Sequence, residues 1–135
     1  MQEAVSLAVP RVLLCSPCRE DERVVAGVLK DVGVEVVQTD RPSAVLDLAG
    51  ACRFHLVLLD LESDPQWPST VQALRAVAPA AAVVVYSRLP DERRWIDALE
   101  AGAADYMAKP FCARDLLWVF RNTVGRVATD ESLMS

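Results

Sequence analysis

Two stretches decide the fold: LVLLD at residues 56–60 and AVVVYS at residues 82–87, each apolar through at least four consecutive positions. A strand with this pattern is typically covered on both faces, as in a parallel sheet. Working outward, RVLLC at 11–15 has the same character, and VEVVQ at 34–38 and DYMAK at 105–109 are weaker runs. Amphipathic stretches separate these runs. Strict alternation of strand and helix with short connections predicts an α/β fold with one parallel, right-handed, doubly wound sheet.

The apolar positions of the five predicted helices recur at intervals of three and four residues, which is the helical period. They are Val24, Val25, Val28, Leu29 and Val32; Ala44, Val45, Leu48 and Ala49; Val71, Leu74 and Val77; Ile96 and Leu99; and Leu116, Leu117, Phe120 and Val124. Gly33 and Gly102 follow the first and fourth stripes at positions where a left-handed glycine ends a helix. Each stripe is therefore expected to pack on the sheet.

Length and composition limit the classes of function. The chain has 135 residues, 14 basic and 19 acidic, and a net charge of −5. We expect one domain over residues 11–127, after a lead-in over 1–10 and before a frayed polar tail over 128–135. The sequence shows no basic cluster, no apolar run near the ~20 residues of a membrane span and no secretory signal in MQEAVSLAVP. We therefore expect a cytoplasmic domain with reduced thiols that binds neither nucleic acid nor membrane.

Polar side chains stand where the buried runs end. Asp60 ends the third run, Ser87 the fourth and Lys109 the fifth, whereas Ser16 and Pro17 follow the first. The carboxyl ends of parallel strands share one edge of the sheet, and ligands bind there. A carboxylate can accept a phosphoryl group, and a hydroxyl and an ammonium can bind its oxygens. The pattern indicates a site for phosphoryl chemistry.

Three segments resemble the receiver domain of two-component response regulators: LVLLDL at 56–61, VVVYS at 83–87 and ALEAGAADYMAKPF at 98–111. The resemblance runs from about Arg11 to Arg126, and its last segment is the most specific. It implies a flavodoxin-like (βα)5 fold, a three-layer sandwich around a five-stranded sheet in the order 2-1-3-4-5. Such a domain is a signalling module, and we expect no enzymatic activity.

The resemblance also assigns roles at the strand ends. It implies that Asp60 is the phosphoacceptor, served by a sensor histidine kinase, that Ser87 senses the phosphoryl group and that Lys109 pairs with it. It implies a cis peptide bond between Lys109 and Pro110, and it puts Tyr106 at the aromatic switch position. The output surface of the family is built from the fourth helix, fifth strand and fifth helix.

One departure from the family pattern concerns the metal. Receivers have an acidic pair after the first strand that holds Mg²⁺, a cation that needs several oxygen ligands. Here Ser16 and Pro17 occupy those positions, which leaves Asp60 as the one expected metal ligand. We therefore expect no cofactor and a degenerate site, with Mg²⁺ bound only if another carboxylate replaces the pair. The candidates for that replacement are Glu20, Asp21 and Glu62.

Large aromatic side chains fall outside the predicted buried stripes. Trp95 lies one residue off the fourth stripe, and Trp118 and Val119 lie off the fifth. Together with Tyr106 they predict a contact surface for a partner protein or a second copy of the chain. The alternative is partial burial under neighbouring arginine stems. Trp67, after the third strand, is expected to cap the phosphoryl pocket.

The leading hypothesis is a pseudo-receiver that acts through protein contacts without Mg²⁺-dependent phosphorylation. A conventional phospho-receiver is the first alternative. The second is a thiol oxidoreductase that uses Cys15 and Cys18, a CxxC pair at a strand-to-helix junction. A zinc site that adds Cys112 is the weaker thiol hypothesis, because the sequence has no second CxxC pair. His55, the one histidine, precedes the third strand at the opposite edge and is given no role.

Overall fold

The computed structural model describes residues 9–88 and 91–134, with the side chains of the last helix described as far as residue 123. Strands and helices alternate along the chain. The strands are β1 (Arg11–Cys15), β2 (Glu35–Thr39), β3 (Leu56–Asp60), β4 (Ala82–Ser87) and β5 (Asp105–Ala108). The helices are α1 (Arg19–Lys30), α2 (Pro42–Ala51), α3 (Trp67–Val77), α4 (Glu92–Ala101) and α5 (Ala113–Met134), and a short 3-10 helix covers Leu61–Ser63.

The five strands form one sheet in the order β2-β1-β3-β4-β5, and every pairing is parallel. Register places Cys15 beside Leu59 and Asp60 beside Tyr86, so the carboxyl ends of the central strands lie level. This topology confirms the predicted α/β fold and strand order.

Two apolar clusters cover the two faces of the sheet. One cluster joins β1, β3 and β4 to buried residues of α2, α3 and α4, and the other joins them to α1 and α5. All residues of β3 and β4 are buried, as their continuous apolar runs predict. The arrangement is therefore the expected three-layer sandwich.

The observed elements differ from the predicted ones at four ends, since β2 covers Glu35–Thr39 and not residues 34–38. Val34 is not in β2, because its N–H donates to the carbonyl of Leu29 and closes the end of α1. β5 ends at Ala108, one residue before Lys109. The backbone of α5 stays helical as far as Met134, so most of the segment expected as a frayed tail is helix.

The buried face of α4 differs from the predicted one. Ala98 and Ala101 face the core, whereas Ile96 and Leu99 are 47% and 45% exposed. Small alanine side chains let the helix approach the sheet closely, and this rotates the larger residues outward. In α5, Val119 is buried, contrary to its predicted place off the stripe. The side chain of Val124 lies outside the described residues.

Candidate functional site

The carboxyl edge of the sheet brings together three of the predicted site residues. Asp60 ends β3, Ser87 ends β4, and Lys109 directly follows β5, where its N–H donates to the carbonyl of Ser87. Lys109 Nζ lies 3.7 Å from Asp60 Oδ2, and both side chains are at least 93% buried. The peptide bond between Lys109 and Pro110 is cis.

Lys109 makes its shorter ion pair with Asp21, in the first turn of α1. Its Nζ lies 2.7 Å from Asp21 Oδ2, which also accepts hydrogen bonds from Ser16 Oγ at 2.9 Å and Tyr86 OH at 3.2 Å. The Ser16 hydroxyl in turn accepts the N–H of Cys18, which fixes the start of α1. One carboxylate oxygen thus binds the Lys109 ammonium and two hydroxyls in a buried setting.

The Asp60 carboxyl also lies near the Lys109 ammonium, but burial disfavours the charged form of this carboxyl. Burial raises the pKa of Asp60 above its usual value, although Lys109 and the N–H of Glu62, which donates to Asp60 Oδ1, oppose the shift. The charged form of a buried carboxyl is disfavoured unless its partners compensate, and here they do so only in part. Of the two carboxylates, Asp21 makes the closer contact to the Lys109 ammonium, at 2.7 Å against 3.7 Å for Asp60.

Glu62 accepts hydrogen bonds from the donors around Ser87. Its carboxylate accepts hydrogen bonds from Ser87 Oγ, from the backbone N–H of Arg88 at 3.1 Å and from the Arg94 guanidinium at 3.0 Å. Arg94 also donates to Ser87 Oγ at 3.0 Å. Burial alone would raise the pKa of Glu62, but these hydrogen bonds outweigh it and hold the pKa below its usual value.

A cleft of about 220 Å³ opens over this edge of the sheet. Its lining residues are Pro17, Cys18, Asp60, Glu62, Ser63, Arg88 and Lys109. Trp67, expected to cap the pocket, packs instead against the core cluster on the α2–α4 side of the sheet. Glu20 points to Arg23 at 3.9 Å and is largely exposed, so of the three substitute carboxylates only Asp21 and Glu62 are hydrogen-bonded into the site.

The sequence of residues 20–121, more than half of the chain, matches the family described as the response regulator receiver domain. The chain belongs to this family. It is 36% identical over 124 residues to the sensory transduction protein RegX3 of Mycobacterium tuberculosis, covering 86% of this chain and 53% of RegX3. It is 31% identical over 118 residues to the response regulator protein FleR of Pseudomonas aeruginosa, covering 83% of this chain and 25% of FleR. The chain thus spans about half the length of RegX3 and a quarter of FleR.

Solved receiver structures share the fold. A receiver domain protein from Methanospirillum hungatei superposes with a TM-score of 0.84 at 18% identity, covering 91% of this chain and 99% of that one. A response regulator from Thermotoga maritima gives a TM-score of 0.82 at 23% identity, covering 87% and 99% of the two chains. The chain is therefore a receiver domain in sequence and in architecture.

The donor set of this receiver does not fit Mg²⁺ as the family holds it. Ser16 and Pro17 contribute no carboxylate, and Asp21 Oδ2 is already bound to an ammonium and two hydroxyls. A hard divalent cation needs several free oxygen ligands, and Lys109 beside both aspartates adds a repelling positive charge. Among the described residues, no group of three or more His, Cys, Asp and Glu side chains is arranged to hold a metal ion.

Of the two cysteines in the CxxC pair, Cys18 lines the cleft and Cys15 lies in the core. Cys15 is fully buried in the core, and burial raises the pKa of its thiol to about 12, which leaves it protonated at neutral pH. Cys15 and Cys18 are free thiols, and Cys112 is exposed. His55 Nδ1 accepts the N–H of Arg11 at 3.2 Å, a structural contact at the amino edge of the sheet.

The surface formed by α4, β5 and α5, here called the α4-β5-α5 face, exposes large apolar side chains. Trp95 is 49% exposed and Trp118 is 59% exposed, and Ile96 and Leu99 add to the apolar area. Tyr106 is half-buried between the two helices and packs partly against the core. The stripe predicted to be buried in α4 is thus exposed. No helix in the described part of the chain combines the length and apolar character needed to cross a bilayer.

Sequence reasoning missed two contributors to the site. Tyr86 looks like a core residue of an apolar strand, but its hydroxyl reaches Asp21 and its ring lies 5.2 Å from Lys109 Nζ. Arg94 looks like a solvated helix residue, but it binds Glu62 and Ser87. The one available signal was that Tyr86 places a hydroxyl inside a strand buried on both faces, where it requires a partner.

Proposed function

We propose that this receiver is a pseudo-receiver, a signalling module that binds a protein partner or a second copy of itself through the α4-β5-α5 face without Mg²⁺-dependent phosphorylation of Asp60. The observation that carries the proposal is the position of Lys109 Nζ, which lies 2.7 Å from Asp21 and 3.7 Å from Asp60. The cation that would offset an incoming phosphoryl group is already paired.

The charges at the cleft also support a receiver in which Asp60 is not phosphorylated. A dianionic phosphoryl donor approaching Asp60 meets cations that are already paired, because Lys109 contacts Asp21 at 2.7 Å and Arg94 contacts Glu62 at 3.0 Å. A bound metal normally supplies several kcal/mol of charge stabilisation to such a transfer. With Ser16 and Pro17 in place of the acidic pair, the barrier to transfer stays high.

The α4-β5-α5 face has the composition of a contact surface. Its exposed tryptophans are of the residue type most often found at binding hot spots. Arg114 and Arg121 line a groove of about 570 Å³ beside Trp118. Asp91 and Glu92 line one of about 500 Å³ beside Trp95. Because a two-fold pairing can bring opposite charges of two copies together, a homodimer through this face is the occupant we favour.

A conventional phospho-receiver is the second candidate, with Asp60 accepting a phosphoryl group from a sensor histidine kinase. One observation favours it: Asp21 is a buried carboxylate at the site and, if released by Lys109, gives a second acidic ligand beside Asp60. The thiol oxidoreductase has no such support, because Cys15 is buried with a raised pKa.

Amide NMR spectra distinguish the pseudo-receiver hypothesis from the phospho-receiver hypothesis. The uniformly labelled domain is titrated with millimolar Mg²⁺ and then with beryllofluoride, a mimic of the aspartyl phosphate. We expect the signals of Asp60, Ser87 and Lys109 to stay in place. The control is Asp60→Asn, which removes the acceptor. Shifts in the wild type that are absent from Asp60→Asn, with Tyr106 and α5 shifting as well, would establish the phospho-receiver instead.

A further inference from the structure

Three donors converge at the carboxyl end of β4 to form an anion-binding subsite. They are the hydroxyl of Ser87, the backbone N–H of Arg88 and the guanidinium of Arg94. Donors of these kinds, one of them charged, bind carboxylate and phosphoryl oxygens alike. In this structure all three meet one carboxylate, that of Glu62.

The backbone around Asp60 places Glu62 for this role. The N–H of Glu62 donates to Asp60 Oδ1 at 3.0 Å, and Ser63 Oγ donates to the carbonyl of Asp60 at 3.0 Å. These two bonds hold the 3-10 helix against the end of β3 and direct the Glu62 side chain across to β4. The side chain is only 35% exposed, so it does not extend freely into solvent.

We propose that Glu62 is a built-in anionic ligand: its carboxylate fills the subsite of Ser87, Arg88 and Arg94 and, through Arg94, holds α4 in one position without phosphorylation. This deepens the proposed function, since it supplies the reason why the α4-β5-α5 face needs no phosphoryl group. Two further facts support it. The pKa of Glu62 is lowered by its hydrogen bonds, so the ligand is an anion at neutral pH, and Arg94 bonds to Ser87 as well as to Glu62.

The anion-binding subsite and the α4-β5-α5 face are connected through two neighbouring residues of α4. Arg94 precedes Trp95, which is half-exposed on the α4-β5-α5 face. Asp91 caps the same turn by accepting the N–H of Arg93 at 2.9 Å. The first turn of α4 is thus fixed at its cap and at Arg94, and removal of Glu62 weakens the second attachment by leaving only the hydrogen bond from Arg94 to Ser87.

The test compares Glu62→Ala with Glu20→Ala, which removes the same charge from a largely exposed carboxylate. Spectra are recorded without Mg²⁺ or beryllofluoride. We expect Glu62→Ala to shift the amides of Arg88 and Arg94 and the indole N–H of Trp95, and Glu20→Ala to leave them in place. Sodium acetate at increasing concentration should move the Glu62→Ala signals back toward the wild-type positions and leave the Glu20→Ala spectrum unchanged.

Glu62→Gln keeps the shape of the side chain and serves if the alanine variant folds poorly. It should produce shifts at Arg94 and Trp95 in the same direction as alanine, but smaller, because one acceptor oxygen remains without the charge. If both Glu62 variants superimpose on the wild type at Arg94 and Trp95, the built-in ligand is refuted. Shifts that acetate does not reverse also refute it, because they mean a local rearrangement rather than an emptied anion subsite. The pseudo-receiver is judged separately, on the response of the wild type to beryllofluoride, so either idea can fail alone.

Discussion

Replacing Asp21 with asparagine tests which carboxylate holds Lys109. The Lys109 side chain is 7% exposed, and its 2.7 Å contact to Asp21 is the shorter of the two ion pairs described for it. Asparagine keeps one acceptor oxygen for Ser16 and Tyr86 but removes the charge. The ammonium is then left buried, with the Asp60 carboxylate 3.7 Å away.

The size of the effect follows from the burial of the pair. Removing one partner of a buried ion pair costs about 3 to 5 kcal/mol. The remaining Asp60 charge offsets part of this, so we expect Asp21→Asn to lower the free energy of unfolding by about 3 kcal/mol, or the Tm by about 10 °C. Asp60→Asn should cost less than about 1 kcal/mol, because neutralising a carboxyl whose pKa burial has raised also removes a desolvation penalty.

Urea unfolding followed by circular dichroism measures both variants, with Asp97→Asn as the control. Asp97 forms an exposed i,i+4 pair with Arg93 at 3.5 Å, worth at most about 0.5 kcal/mol. The raised pKa of Asp60 stabilises the fold below its unfolded value of about 3.9, and this stability is lost as pH rises through the folded pKa. The stability of Asp60→Asn relative to the wild type should therefore improve as pH rises from about 4 through the folded pKa of Asp60. If Asp60→Asn costs as much as Asp21→Asn at neutral pH, the assignment of Lys109 to Asp21 is wrong.

Three other predictions concern the contact face, the cleft and the thiols. Trp118→Ala should change the free energy of unfolding by less than about 1 kcal/mol. It should weaken self-association or partner binding at least about tenfold, as measured by sedimentation or calorimetry. A stability loss of several kcal/mol would place Trp118 in the core. The carboxyl carbon of Glu62 should titrate in NMR with a pKa below the usual value of a glutamate. The Trp95 indole signal should follow the same curve, because the stability from the Glu62 contacts is present above the unfolded pKa and is lost as pH falls through the folded pKa. At pH 8, about half a unit below the usual thiol pKa, Cys112 should react with a thiol reagent while Cys15 reacts only after unfolding, as peptide mass spectrometry would show.

The sheet and the positions of the site residues were predictable because they depend on local patterns. Continuous apolar runs identify β3 and β4 as strands buried on both faces, and parallel pairing then brings Asp60 and Ser87 to one edge. The ends of helix α4 were also predictable from residue type. Gly102 ends α4 at a φ of 111°, and Asp91 caps it, as their residue types predict.

The orientation of α4 was not predictable from spacing. Spacing gives two candidate faces, one with Ile96 and Leu99 and one with Ala98 and Ala101. Hydrophobicity favours the first, but the structure buries the second, because alanine allows close approach to β4 and β5. The same limit applies to Asp21, whose role depends on α1 crossing the sheet close enough for a 2.7 Å contact with a residue 88 positions later.

Two carboxylates of this receiver bind different partners on the two sides of Asp60. Asp21 binds the Lys109 ammonium at one side of Asp60, and Glu62 binds the Ser87 hydroxyl and Arg94 at the other. Each is supplied by an element next to its target, the first turn of α1 or the 3-10 helix after β3. In the proposed pseudo-receiver, these internal anionic partners take the place of a phosphoryl group at the ammonium and the hydroxyl. On that proposal the α4-β5-α5 face, with its exposed tryptophans, is the surface through which the domain signals.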